Sequence, residues 1–212
     1  MFELLRGGSD HRHLRLPLFP LNAVLFPGGR LPLRIFEQRY IAMAKACLRD
    51  DQAFGVCLIL RGPEVAAPGT AAGTLPEFVT IGTLARISAW DMPQLGILQV
   101  TTVGGARFEV RSHSAQPDRL IVADAAPIAP EPCVPLDERN RPLADLLQVL
   151  VSRIGRQHFP EELAFDDASW VGYRLAEILP LPLSIKQKML EINDAEVRLA
   201  TLRKFLQQQG LL

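Results

Sequence analysis

The chain carries no net charge, because 23 lysine and arginine residues balance 23 aspartate and glutamate residues over 212 positions. Nothing in that balance draws the whole molecule to nucleic acid or to an anionic membrane, although a local basic patch stays open. No apolar run approaches the roughly 18 uninterrupted residues of a membrane span, and the opening MFELLRGGSDHRH lacks the apolar segment of a signal peptide. The three cysteines, Cys47, Cys57 and Cys133, form no C-x-x-C pair, and a scattered odd count suits a reducing compartment better than a disulfide framework. The expectation is a cytoplasmic protein without membrane association. No G-x-x-x-x-G-K-[ST] phosphate loop and no G-x-S-x-G elbow occur, and no cysteine has an evident histidine partner, so nucleotide hydrolysis and nucleophilic catalysis lack a candidate constellation.

Proline, by contrast, is plentiful and organises the chain. Pro17, Pro20, Pro27 and Pro32 cut residues 16–40 into apolar pieces of a few residues, and proline cannot donate to a sheet ladder. These pieces read as short strands, with Pro27-Gly28-Gly29 as a tight turn. After Ile35 the period changes: Phe36, Tyr40, Met43, Ala44 and Cys47 fall at helical spacing and predict a helix over 37–49. A continuous apolar run over 54–60 predicts a buried strand that Gly62-Pro63 stops. Residues 61–77, rich in Gly, Pro, Ala and Thr, exceed the usual loop length and read as the most mobile internal segment.

Strands are expected at 78–90, 97–103, 106–113 and 119–125, with Gly104-Gly105 as a two-residue hairpin signal and Gln116-Pro117-Asp118 as the next turn. Such a meander of adjacent antiparallel strands can curl into a barrel and hide most edges. Pro127, Pro130, Pro132 and Pro135 then form a stiff linker, which places a domain boundary near Pro135. Beyond it the pattern is helical. Leu143, Leu146, Leu147, Leu150 and Ile154 make one stripe, and Val171, Leu175 and Ile178 a second, ended by Pro180 and Pro182. Ser184 with Gln187 reads as a capping box for a third helix, and Asn193 with Glu196 for a last one with stripe Ala195, Leu199, Leu202 and Leu206. The fold class expected is α+β: a tail over 1–13, a barrel over 14–130 and a small helical bundle over 136–212.

Particular strings carry a resemblance. Pro20-Leu21, Phe26-Pro27-Gly28, Pro32-Leu33, Ile35-Phe36-Glu37 and Arg39-Tyr40 resemble the opening of the Lon protease amino-terminal domain, the substrate-recognition module. Gly82-Thr83-Leu84-Ala85-Arg86-Ile87, Gly105-Ala106-Arg107-Phe108, Leu179-Pro180-Leu181 and Ser184-Ile185-Lys186-Gln187-Lys188 resemble later segments of the same family. The resemblance implies an antiparallel β-barrel related to the PUA domain followed by a helical subdomain. It further implies a free-standing, non-enzymatic polypeptide-binding protein without the ATPase and Ser-Lys protease domains, taking unfolded or exposed apolar segments as client, with or without a protease partner, and needing no cofactor. Two rivals remain open: a PUA-like nucleic-acid-binding module, which the balanced charge disfavours, and a small-molecule protein using the cleft between barrel and bundle.

Candidate sites divide accordingly. No catalytic residue emerges. His11 and His13 lack a third metal ligand nearby, and His113 and His158 stand alone, so no metal site is expected. The acid pairs Glu161-Glu162 and Asp166-Asp167 precede a helix, where they complement its dipole. Arg39 is expected to tie the first helix to the barrel. For polypeptide binding the candidates are Trp90, Met92 and Leu95, in a 90–95 segment read as a surface turn between two strands, with the alternative that Trp90 folds back onto the barrel. Phe26 and Arg30, in the glycine-containing turn, form the fallback surface.

Overall fold

A computed structural model describes residues 13–64, 75–160 and 162–210. The expected tail up to residue 12, most of the expected mobile segment and Glu161 lie outside them.

Among the described residues seven strands and five α-helices follow one another: β1 (Leu14–Leu21), β2 (Arg30–Ile35), α1 (Gln38–Asp50), β3 (Phe54–Arg61), β4 (Glu77–Phe78), β5 (Ile81–Gln94), β6 (Ile97–Ala115), β7 (Ile121–Pro127), α2 (Arg141–Ile154), α3 (Ala168–Ile178), α4 (Leu183–Glu191) and α5 (Ala195–Gln208). The fold is α+β. Strands run in the order β1-β7-β6-β5-β3-β4, and a further β1–β3 pairing closes five of them into a ring, with β2 branching from β6. The β1–β3 pair is parallel, so the sheet is mixed where an all-antiparallel one is expected. Its cause is the connection: β2 and α1 intervene between β1 and β3 and return the chain in the same direction, a crossover too long for a hairpin.

The glycine pair Gly104-Gly105 is a second correction. Instead of turning between two strands it lies inside the 19-residue β6, whose first part pairs with β2 and β5 and whose last part pairs with β7. Glycine is needed at 104 because the 26–29 turn crosses the strand there. Gly28 N–H donates to Gly104 O at 2.7 Å and Gly104 N–H to Gly29 O at 2.8 Å, and a Cβ on Gly104 would stand 2.1 Å from the Phe26 carbonyl oxygen. Residues 90–94 likewise belong to β5, and the turn is confined to Leu95 and Gly96, the latter with φ of +83°.

Around this frame α1 buries Tyr40, Ile41, Met43, Ala44 and Cys47, while Phe36, just before it, stays exposed. Arg39 does tie this helix down: its guanidinium pairs with Glu37 at 2.8 Å and donates to the Arg119 carbonyl at 2.9 Å. The barrel side chains form two clusters, one centred on Phe54, Tyr40 and Leu98 and one on Phe108, Leu18 and Ile121. A third cluster belongs to α2–α5 and includes one barrel-side residue, Phe26, which is fully buried beside Tyr173. The helical stripes hold, except that Ile154 faces outward.

Helix caps are where local reading errs. Pro182, not Ser184, precedes α4 and supplies no side-chain cap, and Gln187 instead donates to the Ile81 carbonyl across to the barrel at 3.0 Å. Asp194, not Asn193, caps α5 by accepting from Val197 N–H at 3.0 Å, because Asn193 is engaged by Arg107. Asp167 caps α3 through Trp170 N–H, as acids at a helix start should. Asp194→Ala is therefore expected to destabilise by about 1 kcal/mol, and Ser184→Ala by less than about 0.5 kcal/mol. Chemical denaturation midpoints of the two variants check this, and an equal loss for both would restore the Ser184 capping box.

Candidate functional site

Three strands form a flap that outreaches the ring. Beyond Ala85, β5 has β6 as its pairing partner among the described residues, and β6 over 98–103 is flanked by β5 on one side and β2 on the other. Register places Arg34, Gln99 and Asp91 in one row across the three strands, and Pro32, Thr101 and Ala89 in the next. These residues line a shallow groove of about 380 Å³ with Leu33, Trp90 and Val100. Trp90 is 60% exposed and Leu95, at the hairpin tip, 94% exposed. Phe36 leaves β2 at the same end, since its neighbour Ile35 stands opposite Leu98. Three large apolar side chains thus stand exposed toward one end of the flap, a distribution that marks interaction surfaces.

The expected site residues thus separate. Trp90 and Leu95 stand in solvent, so Trp90 does not fold back into the core. Met92 is half-buried against the barrel cluster that holds Leu98 and Val100, which gives it a packing role. Phe26 is fully buried in the helical core and offers no surface for a ligand; the proline-glycine turn that looks exposed in sequence is covered by α3, whose Arg174 donates to the Pro27 carbonyl at 2.7 Å. Arg30 is exposed, but its guanidinium is held by the Gln157 carbonyl at 2.9 Å, bracing barrel to bundle. The strand edges beside the groove are blunted. Pro32 and Pro93 lack donors, β5 carries register shifts, and Met92 N–H is bonded by the Asp91 carboxylate at 2.8 Å, so these edges offer an interrupted ladder.

A second concavity, about 400 Å³, lies between barrel and bundle and is lined by Pro27, Arg107, Glu131, Cys133, Trp170 and Tyr173 among others. Its polar wall is already satisfied. Glu131, with 4% of its side chain exposed, accepts from Ser169 at 2.7 Å, Tyr173 at 2.6 Å and both terminal nitrogens of Arg198, with Arg107 a further 3.6 Å away. Burial alone would raise the Glu131 carboxyl, but bonds from Arg198, Tyr173 and Ser169 outweigh it and hold the group below the usual carboxylate range. Arg107 reaches on to the Leu190 and Ile192 carbonyls at 2.8 and 3.1 Å, so this one carboxylate joins β6, the linker, α3 and α5. Sequence reading missed the clamp, although Arg198 interrupting the Ala195-Leu199-Leu202 stripe is its visible signal: a cation on a buried helix face needs a buried anion.

None of the three cysteine thiols is activated. Burial pushes the Cys57 thiol up to about 12 and raises Cys47, and the hydrogen bond to Asp167 raises Cys133. Among the described residues no three His, Cys, Asp or Glu side chains gather to hold a metal ion, and no helix is long and apolar enough to cross a membrane. His13 pairs with Asp124, and His113 packs on Phe78.

The architecture is thus a mixed barrel joined to a helical bundle by a buried clamp, with Trp90 and Leu95 exposed on the β5–β6 hairpin. The chain belongs to the family of the ATP-dependent protease La (LON) substrate-binding domain, whose sequence model matches residues 15–208. The crystal structure of a Lon N-terminal domain protein from Xanthomonas campestris is similar at a TM-score of 0.72 and 32% identity, covering 90% of this chain and 98% of that one. The N-terminal domain of a Mycobacterium avium complex Lon protease shares the fold at a TM-score of 0.58 and 15% identity, over 89% of this chain and 96% of that one. Among curated relatives, Lon protease 2 of Myxococcus xanthus is 47% identical over 73 residues, which is 34% of this chain and 8% of that protein. Lon protease 1 of Syntrophobacter fumaroxidans is 25% identical over 95% of this chain and 25% of its own length. The chain therefore spans a quarter or less of these two relatives, in the region their family names as substrate-binding and not in an ATPase or protease domain.

Proposed function

We propose that this chain is a polypeptide-binding module that carries out no reaction itself and holds exposed apolar segments of unfolded proteins at the β5–β6 hairpin. The observation that carries the reading is the exposure of Trp90 and Leu95 at 60% and 94% on the bulged β5–β6 hairpin, beside a groove lined by β2, β5 and β6. Membership in a substrate-binding family supports it, as does the saturation of the interdomain cleft by its own side chains, which leaves a small ligand few polar groups to engage. The balanced charge favours an apolar client over nucleic acid. A protease that takes over the bound client is the partner this reading expects, because the curated relatives are named as proteases.

The test is the double variant Trp90→Ser/Leu95→Ser, with Met92 left in place because it packs inward. Binding of a fluorescently labelled, reduced and carboxymethylated protein is expected to weaken at least about tenfold, since each exposed apolar group forfeits on the order of 1 kcal/mol of client burial, while the melting temperature stays within a degree or two. Unchanged affinity in a stable double variant would remove the hairpin as the site. A large fall in melting temperature would show Trp90 packed against the barrel after all.

A further inference from the structure

The helical half carries a separate surface that client binding does not use. α4 and α5 both pack on α3, and an apolar groove of about 690 Å³ is lined by both. Its floor is made by half-buried Ile185, Ile192 and Phe205 over buried Met189 and Leu202. On α4 the lining positions 185, 188 and 189, followed by Ile192 at its C-cap, recur at one helical face, and on α5 positions 201, 204, 205 and 208 do the same, so two stripes face one trench. Two stripes without a third are an incomplete helical layer, the shape into which an amphipathic helix lays its apolar side.

The rim says which helix. Lys188 and Lys204 stand exposed on opposite walls, one on each helix, and among the described residues neither ammonium has an ion-pair or hydrogen-bond partner. Glu191, the acid on the rim, is already held by Gln187 Nε2 at 2.9 Å. The charge left over is positive on both walls of an apolar floor. We infer that this groove docks an amphipathic helix of another protein, one with an apolar stripe at i, i+3, i+4 and i+7 flanked by acidic residues. Client and partner then occupy different halves of the molecule, the client on the barrel hairpin and the partner on the bundle, and the clamp at Glu131 keeps the two halves in fixed relation.

The inference is tested with two labelled synthetic helices in the full chain: an alanine-based 18-mer with that leucine stripe and glutamate flanks, and the same peptide with lysine flanks. The glutamate peptide is expected to bind about tenfold more tightly, a preference that shrinks with added salt. Lys188→Glu/Lys204→Glu, two exposed changes that leave the melting temperature unchanged, should reverse the preference, and Trp90→Ser/Leu95→Ser should leave it intact. Equal affinity for the two peptides, binding of neither, or loss of binding in the hairpin variant overturns the inference. So does sedimentation showing that two copies of this chain associate and that Lys188→Glu/Lys204→Glu separates them, since the groove would then be a self-interface.

Discussion

Gly104→Ala is expected to cost about 3 kcal/mol or more, whereas Gly105→Ala, one residue along the same strand, should change stability by less than about 1 kcal/mol. The two glycines look alike in sequence and differ in what crosses them. At 104 the new methyl would meet the Phe26 carbonyl oxygen at 2.1 Å and the carbonyl carbon at 3.0 Å, and backbone cannot rotate away as a side chain can. The same residue exchanges hydrogen bonds with Gly28 and Gly29, so relief by shifting the turn would break both. It would also pull Phe26 from the helical core. At 105 the nearest atoms are Leu84 O at 3.5 Å and Leu84 Cβ at 3.6 Å, ordinary contact distances. For a chain of this size the loss at 104 corresponds to a fall of roughly 6–12 °C in melting temperature. Similar melting curves for the two variants would mean that the turn does not cross β6 as described.

Glu131→Ala should have an effect of comparable size through a different mechanism. Removing the carboxylate leaves Arg198, with none of its side chain exposed, and Arg107, with 3%, facing each other without a counter-charge, together with the Tyr173 hydroxyl and Ser169. Breaking a buried pair in this way costs about 3–5 kcal/mol. The pH dependence has a definite sign. Because the folded carboxyl titrates below its ordinary range, the wild-type protein gains stability from Glu131 above the usual glutamate value of about 4.3 and loses it as pH falls through the lowered value. Urea midpoints measured from pH 6 down to pH 3 should therefore slope more steeply in wild type than in Glu131→Ala. Parallel slopes would show the carboxylate to be unperturbed.

How much of this was legible beforehand follows from what each signal encodes. Apolar periodicity reports which face of one element is buried, and it placed α1, α2, α3 and α5 and the 54–60 strand well. Proline density marked the linker that holds Glu131, and the motif strings over 20–40, 82–87, 105–108 and 179–188 carried the family. What periodicity does not report is which distant backbone lies over a residue. Gly104-Gly105 therefore read as a turn when Gly104 is a crossing point, and Phe26 read as a surface residue when α3 covers it. Asn193 lost its capping role to Asp194 because Arg107, 86 residues earlier, claims its side chain. For the 90–95 segment the sequence left Trp90 open between an exposed patch and a fold back onto the barrel, and Asp91, Met92 and Pro93 suggested a turn where a bulged strand continues. Arg107, Glu131 and Arg198 were missed together because each is an ordinary charged residue alone and a buried network only when barrel, linker and bundle meet.

Hydrogen exchange on the full chain, with and without a saturating reduced and carboxymethylated polypeptide, tests the central claim most directly, since it reports where the client sits without altering a residue. The account predicts added protection in the β5–β6 hairpin over residues 86–103 and in β2, with α4 and α5 unchanged. Binding accompanied by protection confined to the helical half, or to the cleft around Glu131, would contradict it.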